Sequence, residues 1–97
     1  MIIDDIYNKL MDCIQQLPER FNTYEVIQIF KSRYLQDWNI LEERYGRGGK
    51  GNGRYYTAFT YIAQCLKNMS KRGMIRQELF QPAPEEWGNP EIATWSR

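Results

Sequence analysis

Ninety-seven residues, 42 % of them hydrophobic and 14 % aromatic, suffice for one domain with one ring-rich core. The net charge is +1 and histidine is absent, which removes the commonest metal ligand and general base, and with them Ser-His-Asp and Cys-His catalysis within this chain. The longest apolar run is too short to span a bilayer and no basic-then-apolar leader opens the chain, so the expectation is a cytoplasmic, non-enzymatic protein.

Residues 3–17 predict a first helix. Ile3, Ile6, Leu10, Ile14 and Leu17 recur at steps of three and four and make one apolar stripe. Asp4 and Asp5 fall in its first turn, where the helix dipole favours anions, and Pro18 stops it. Asn8, Asp12 and Gln15 form a solvated back. Cys13 and Cys65 are the only cysteines, each on an apolar face, and read as buried thiols.

A second helix is predicted over 23–34. Asn22 is its N-cap, Glu25 completes a capping box, and Phe21 and Val26 stand at the staple positions. Ile27, Phe30 and Tyr34 line its inner face, while Lys31 and Arg33 point elsewhere and could touch a phosphate. A shorter helix follows over 37–45, with Asp37 as cap and Trp38, Leu41 and Tyr45 inward. Gly46 supplies the positive-φ stop. Glu42 and Glu43 are neighbours on a helix, point in different directions, and read as a solvated face.

Residues 46–53, GRGGKGNG, form a glycine-rich loop. The Gly-Lys pair is not a nucleotide-binding P-loop: Lys50 is followed by Gly51, and a helix precedes the loop instead of a strand. Such a loop can still set backbone N–H groups and the cations Arg47, Lys50 and Arg54 against phosphates. The bland alternative is a mobile linker.

The loop opens a segregated charge. Residues 44–77 carry eight basic and no acidic side chains, whereas residues 1–43 carry four basic and eight acidic, and residues 78–97 one and four. Within the basic segment, residues 58–72 predict the longest helix, capped by Thr57, stapled by Tyr56 and Tyr61 and stopped at Gly73. Phe59, Ile62, Ala63, Leu66 and Met69 form its buried stripe. The other face shows Thr60, Tyr61, Gln64, Lys67, Asn68 and Lys71, without a carboxylate to repel phosphate. Gln and Asn match adenine edges, and Lys and Thr match several bases. Tyr55, Tyr56 and Tyr61 could stack on a base, although tyrosines near helix starts more often serve as staples.

The tail begins as a strand, about 74–80. Residues 81–90, QPAPEEWGNP, carry three prolines and read as non-strand, and 92–95 regains strand propensity. Two strands and a long loop make a hairpin beside the helix. The expected class is mainly α with a small β-hairpin.

Helix, helix, short helix, long helix, hairpin resembles the winged helix-turn-helix family. The segment GKGNGRYYTAFTYIAQCLKNMSKRGMI is similar to the loop, recognition helix and first wing strand of small bacterial and phage modules. The resemblance implies a regulator of transcription that binds double-stranded DNA, with the long helix in the major groove. Thr57, Thr60, Tyr61 and Gln64 would then face bases, and Arg54, Lys67 and Lys71 would face phosphates. The chain departs from the pattern at the wing, where Glu85, Glu86 and Glu91 stand in place of cations. The alternative is a protein-interaction module or phage-type inhibitor on the same fold, with Trp87 in the acidic, proline-rich loop 81–91 as an aromatic anchor.

Overall fold

The computed structural model describes residues 3–48, 56–87 and 89–97. Helices α1 (Ile6–Ile14), α2 (Thr23–Arg33), α3 (Leu35–Tyr45) and α4 (Ala58–Lys71) dominate it. Strand β1 (Arg20–Asn22) lies between α1 and α2. After α4 come β2 (Arg76–Gln77), β3 (Gln81–Pro82), a 3-10 turn at Glu85–Trp87, β4 (Glu91–Ile92) and β5 (Thr94–Ser96).

Helix α1 is shorter than its apolar stripe. Asp5 takes a left-handed φ of 55° ahead of the helix, so Asp4 and Asp5 stand before the first turn and not within it. At the other end, Gln16 N–H donates to the Cys13 carbonyl and Leu17 N–H to the Ile14 carbonyl, each at 3.0 Å. These three-residue turns replace the last helical turn because Pro18 pushes Leu17 away from helical geometry. Asp12 is not merely solvated: it accepts from Arg33 Nε and from the Tyr34 hydroxyl, both at 2.8 Å, and ties α1 to the end of α2.

The start of α2 follows its capping signal. The Asn22 side chain accepts from Glu25 N–H at 2.8 Å, and the Glu25 carboxylate accepts from Asn22 N–H at 2.9 Å. Helix α3 begins at Leu35, directly after Tyr34, so Asp37 is not its cap. Asp37 sits in the first turn, and its carboxylate meets Lys9 Nζ of α1 at 2.6 Å. The stop of α4 is a Schellman motif. Gly73 has φ 78°, its N–H donates to the Ser70 carbonyl at 3.1 Å, and Met74 N–H donates to the Met69 carbonyl at 3.0 Å.

Three short strands form an antiparallel sheet in the order β1-β5-β2, pairing Arg20 and Arg76 with Ser96, and Phe21 and Gln77 with Trp95. The sequence signals missed β1, since three residues that end on a strong cap carry little strand pattern. The strand expected over 74–80 is confined to Arg76–Gln77, and the one expected over 92–95 splits at Ala93 into β4 and β5. Residues 81–82 do pair, with 91–92. Pro82 is tolerated because both strands of that ladder are edges, where a missing N–H costs no pairing.

Thr23 joins the helices to the sheet. Its hydroxyl donates to the Ala93 carbonyl at 3.3 Å and accepts from Trp95 Nε1 at 3.0 Å, and its N–H reaches the same carbonyl at 3.2 Å. The core lies between the four helices and the sheet. Leu10, Ile14, Ile27, Phe30, Trp38, Leu41, Ile62, Leu66 and Met69 are fully buried in it. Each such side chain stabilises the fold by about 1.5–3 kcal/mol relative to exposure. That burial fixes the orientation of α4.

Candidate nucleic-acid interface

Helix α4 is amphipathic, and its inner side is settled by the full burial of Ile62, Leu66 and Met69. At about 100° per residue, Thr57, Thr60, Tyr61, Gln64, Lys67, Asn68 and Lys71 share one arc of roughly 120° facing the other way. Gln64, Lys67 and Lys71 are exposed, whereas Thr60, Tyr61 and Asn68 are half-buried. Among the described residues, neither lysine has an ion-pair partner within 4.0 Å. Gln64 Nε2 donates to Asn68 Oδ1 at 3.3 Å, so the two amides form a pair along the arc.

Three of the expected contact residues, Thr57, Thr60 and Tyr61, are occupied within the fold. Thr57 is 6 % exposed and holds the N-cap position, its N–H donating to Thr60 Oγ1 at 3.2 Å. Tyr61 stacks on Tyr45, with ring centroids 5.5 Å apart and planes 23° from parallel, and Tyr56 meets Tyr45 edge-on at 5.1 Å. Burial, aided by neighbouring Cys65 and Tyr45, pushes the Tyr61 hydroxyl up to about 12. It therefore stays neutral at physiological pH. The signal for this cluster was present in the staple spacing, but Tyr45 as the shared partner was not.

Elsewhere the expected cations divide. Arg47 is exposed, with Nε 3.8 Å from a Glu42 carboxylate oxygen. Lys50, Arg54 and Tyr55 lie outside the described residues. Arg33 is held by Asp12. Lys31 lies 5.8 Å above the Trp38 ring, and Arg72 4.8 Å above Tyr7, each a cation–π contact.

The aromatic anchor expected at Trp87 packs inward. Its indole stacks on Phe59, a half-buried ring that also meets Trp38 at 5.9 Å and Tyr24 at 6.2 Å. Adjacent Leu79 and Phe80 face solvent instead, 86 % and 58 % exposed. They border a groove of about 390 Å³ that Arg20, Glu25 and Glu78 also line.

Burial holds both thiols protonated, Cys13 pushed up to about 12 and Cys65 to about 11, which makes them poor nucleophiles. Among the described residues, no cluster of three or more His, Cys, Asp or Glu side chains could hold a metal ion, and no helix is long and apolar enough to cross a membrane. Set against family models, curated proteins and solved structures, the chain matches none.

Proposed function

We propose that this chain is a non-enzymatic winged-helix DNA-binding module, a small cytoplasmic regulator that lays the outer face of α4 in the major groove of duplex DNA. The observation that carries the reading is the arc of Gln64, Lys67, Asn68 and Lys71, which is accessible, cationic and free of carboxylates. Lysines can neutralise phosphates, and amides can pair with base edges. The topology supports the winged-helix assignment: β1 falls between α1 and α2, the sheet order is β1-β5-β2, and a hairpin follows the long helix. Helix α3 is an additional segment ahead of the glycine-rich loop. Arg47, Lys50 and Arg54 of that loop supply further phosphate contacts in this reading. Base contacts pass to Gln64 and Asn68, since Thr57 is buried, the Thr60 hydroxyl accepts from the Thr57 N–H, and Tyr61 stacks on Tyr45. Two unpaired buried thiols suit a reducing compartment.

The second reading is a protein-interaction module. The exposed Leu79–Phe80 pair favours it, in place of the packed Trp87. Duplex binding followed at two salt concentrations separates the readings. The parent should bind more weakly as salt rises, and Lys67→Glu with Lys71→Glu should abolish binding. If the parent binds no duplex at low salt, or the double variant binds as the parent does, α4 does not face DNA.

A further inference from the structure

A second cleft, about 360 Å³, lies where α4 ends, lined by Ser70, Gly73, Arg76, Gln77 and Arg97 together with Met74 and Ile75. We infer that this cleft holds a phosphate of the same duplex, so that the interface runs past the helix onto β2 and the end of β5. The inference rests on the DNA reading above.

Two arginines line the cleft, and no Asp or Glu does. Arg76 and Arg97 are exposed, and among the described residues neither forms an ion pair. The nearest acidic side chain in sequence, Glu78, is 3.7 Å from Arg20 instead. The sheet brings the arginines together: Arg76 pairs with Ser96, and Arg97 follows Ser96 directly. Arg97 is anchored through its backbone, its N–H donating to the Glu19 carbonyl at 3.1 Å.

The cleft also continues the lysine face. Ser70 lies one helical turn after Lys67 on the neighbouring side of α4, and offers a hydroxyl donor. A helix C-terminus ordinarily repels anions through its unpaired carbonyls. Here the carbonyls of Met69 and Ser70 are bonded by Met74 and Gly73 N–H groups, which weakens that repulsion beside the cleft. A guanidinium fork matches phosphate oxygens in a way that a lone ammonium does not.

The test uses the full chain and labelled duplexes titrated across a salt series. Arg76→Ala combined with Arg97→Ala should flatten the log–log salt slope by about 0.9, the loss of one phosphate contact, and weaken binding roughly tenfold at 0.1 M salt, for specific and random duplexes alike, with each single variant falling between the double variant and the parent. Arg76→Lys with Arg97→Lys, which keeps the charge, should restore the slope. Unchanged thermal midpoints exclude unfolding as the cause, and an alanine variant that fails to fold is replaced by the glutamine variant at the same position. If the double alanine variant keeps the parent slope while Lys67→Ala flattens it, the cleft inference fails and the DNA reading stands. If none of these variants alters the slope, or the parent binds no duplex, both fall.

Discussion

The indole of Trp87 lies flat on the ring of Phe59, with centroids 5.3 Å apart and planes 12° from parallel. This contact fastens the proline-rich loop to the first turn of α4, across 28 residues of chain. It makes Trp87 part of the fold's packing. Trp87→Ala should therefore destabilise the protein by about 1–3 kcal/mol, less than a fully buried ring would cost because Trp87 is only half-buried. Urea denaturation reads this directly. An unchanged midpoint, with loss of a bound protein partner, would return Trp87 to the role of surface anchor.

Gly48 touches the same ring. A Cβ at position 48 would stand 2.3 Å from Phe59 Cγ and 2.5 Å from its Cδ1, closer than atoms approach without displacement. Phe59 has little room to retreat, with Trp87, Trp38 and Tyr24 around it. Gly48→Ala should cost about 1–3 kcal/mol as an overpacking change. Phe59→Leu should absorb part of that cost, so the double-mutant cycle should show coupling of at least about 0.5 kcal/mol. Additive effects would mean that the clash is relieved by the loop and not by the ring.

Gly73 presents the opposite case, because nothing lies within 4 Å of a Cβ built there. Only its backbone conformation, φ 78°, opposes a side chain. Gly73→Val should lower stability by about 1–2 kcal/mol, and Gly73→Asn by less, since asparagine tolerates left-handed geometry. Equal losses in the two variants would argue that space, not φ, sets the cost.

Asp12 gives the fold an acid-sensitive tie. The Tyr34 hydroxyl above all holds its carboxyl below the ordinary 3.8; burial pushes upward, and the Arg33 guanidinium adds to the lowering. A depressed carboxyl contributes stability that is complete above the ordinary value and is lost as pH falls through the lowered one. Asp12→Asn should thus destabilise at pH 7, and its deficit relative to the parent should shrink below about pH 4. Urea midpoints for both proteins at pH 7 and at pH 3 supply the comparison. A deficit that stays constant would assign the tie to hydrogen bonding without charge.

These residues also show which parts of the fold local pattern could reveal. The caps at Asn22 and Thr57 and the stop at Gly73 were legible because each signal lies within a few residues of its effect. The outer face of α4 was legible because helical period alone sorts its residues. Thr23 gripping Ala93 and Trp95, Asp37 taking Lys9, and Tyr61 settling on Tyr45 were not, since each joins segments that only the folded chain brings together. Strand β1 was hidden for the same reason: its partner β5 lies at the far end of the chain.

In the DNA-binding reading, the engagement of Tyr61 with Tyr45 leaves Gln64 and Asn68 as the groups on α4 best suited to distinguish bases. Their mutual hydrogen bond uses one Gln64 N–H and the Asn68 oxygen. It leaves the Gln64 carbonyl oxygen as acceptor and the Asn68 amide as donor, the complement that adenine N6 and N7 require in the major groove. Gln64→Ala should weaken binding to the preferred duplex by about 1–3 kcal/mol and leave random duplexes nearly unchanged. Gln64→Glu should weaken every duplex, because a carboxylate would face phosphates across the arc. Neither change should move the thermal midpoint, as Gln64 is exposed and lies opposite Ile62 and Leu66. If Gln64→Ala weakens specific and random duplexes equally, the amide pair reads no base, and α4 serves only as a phosphate-binding surface.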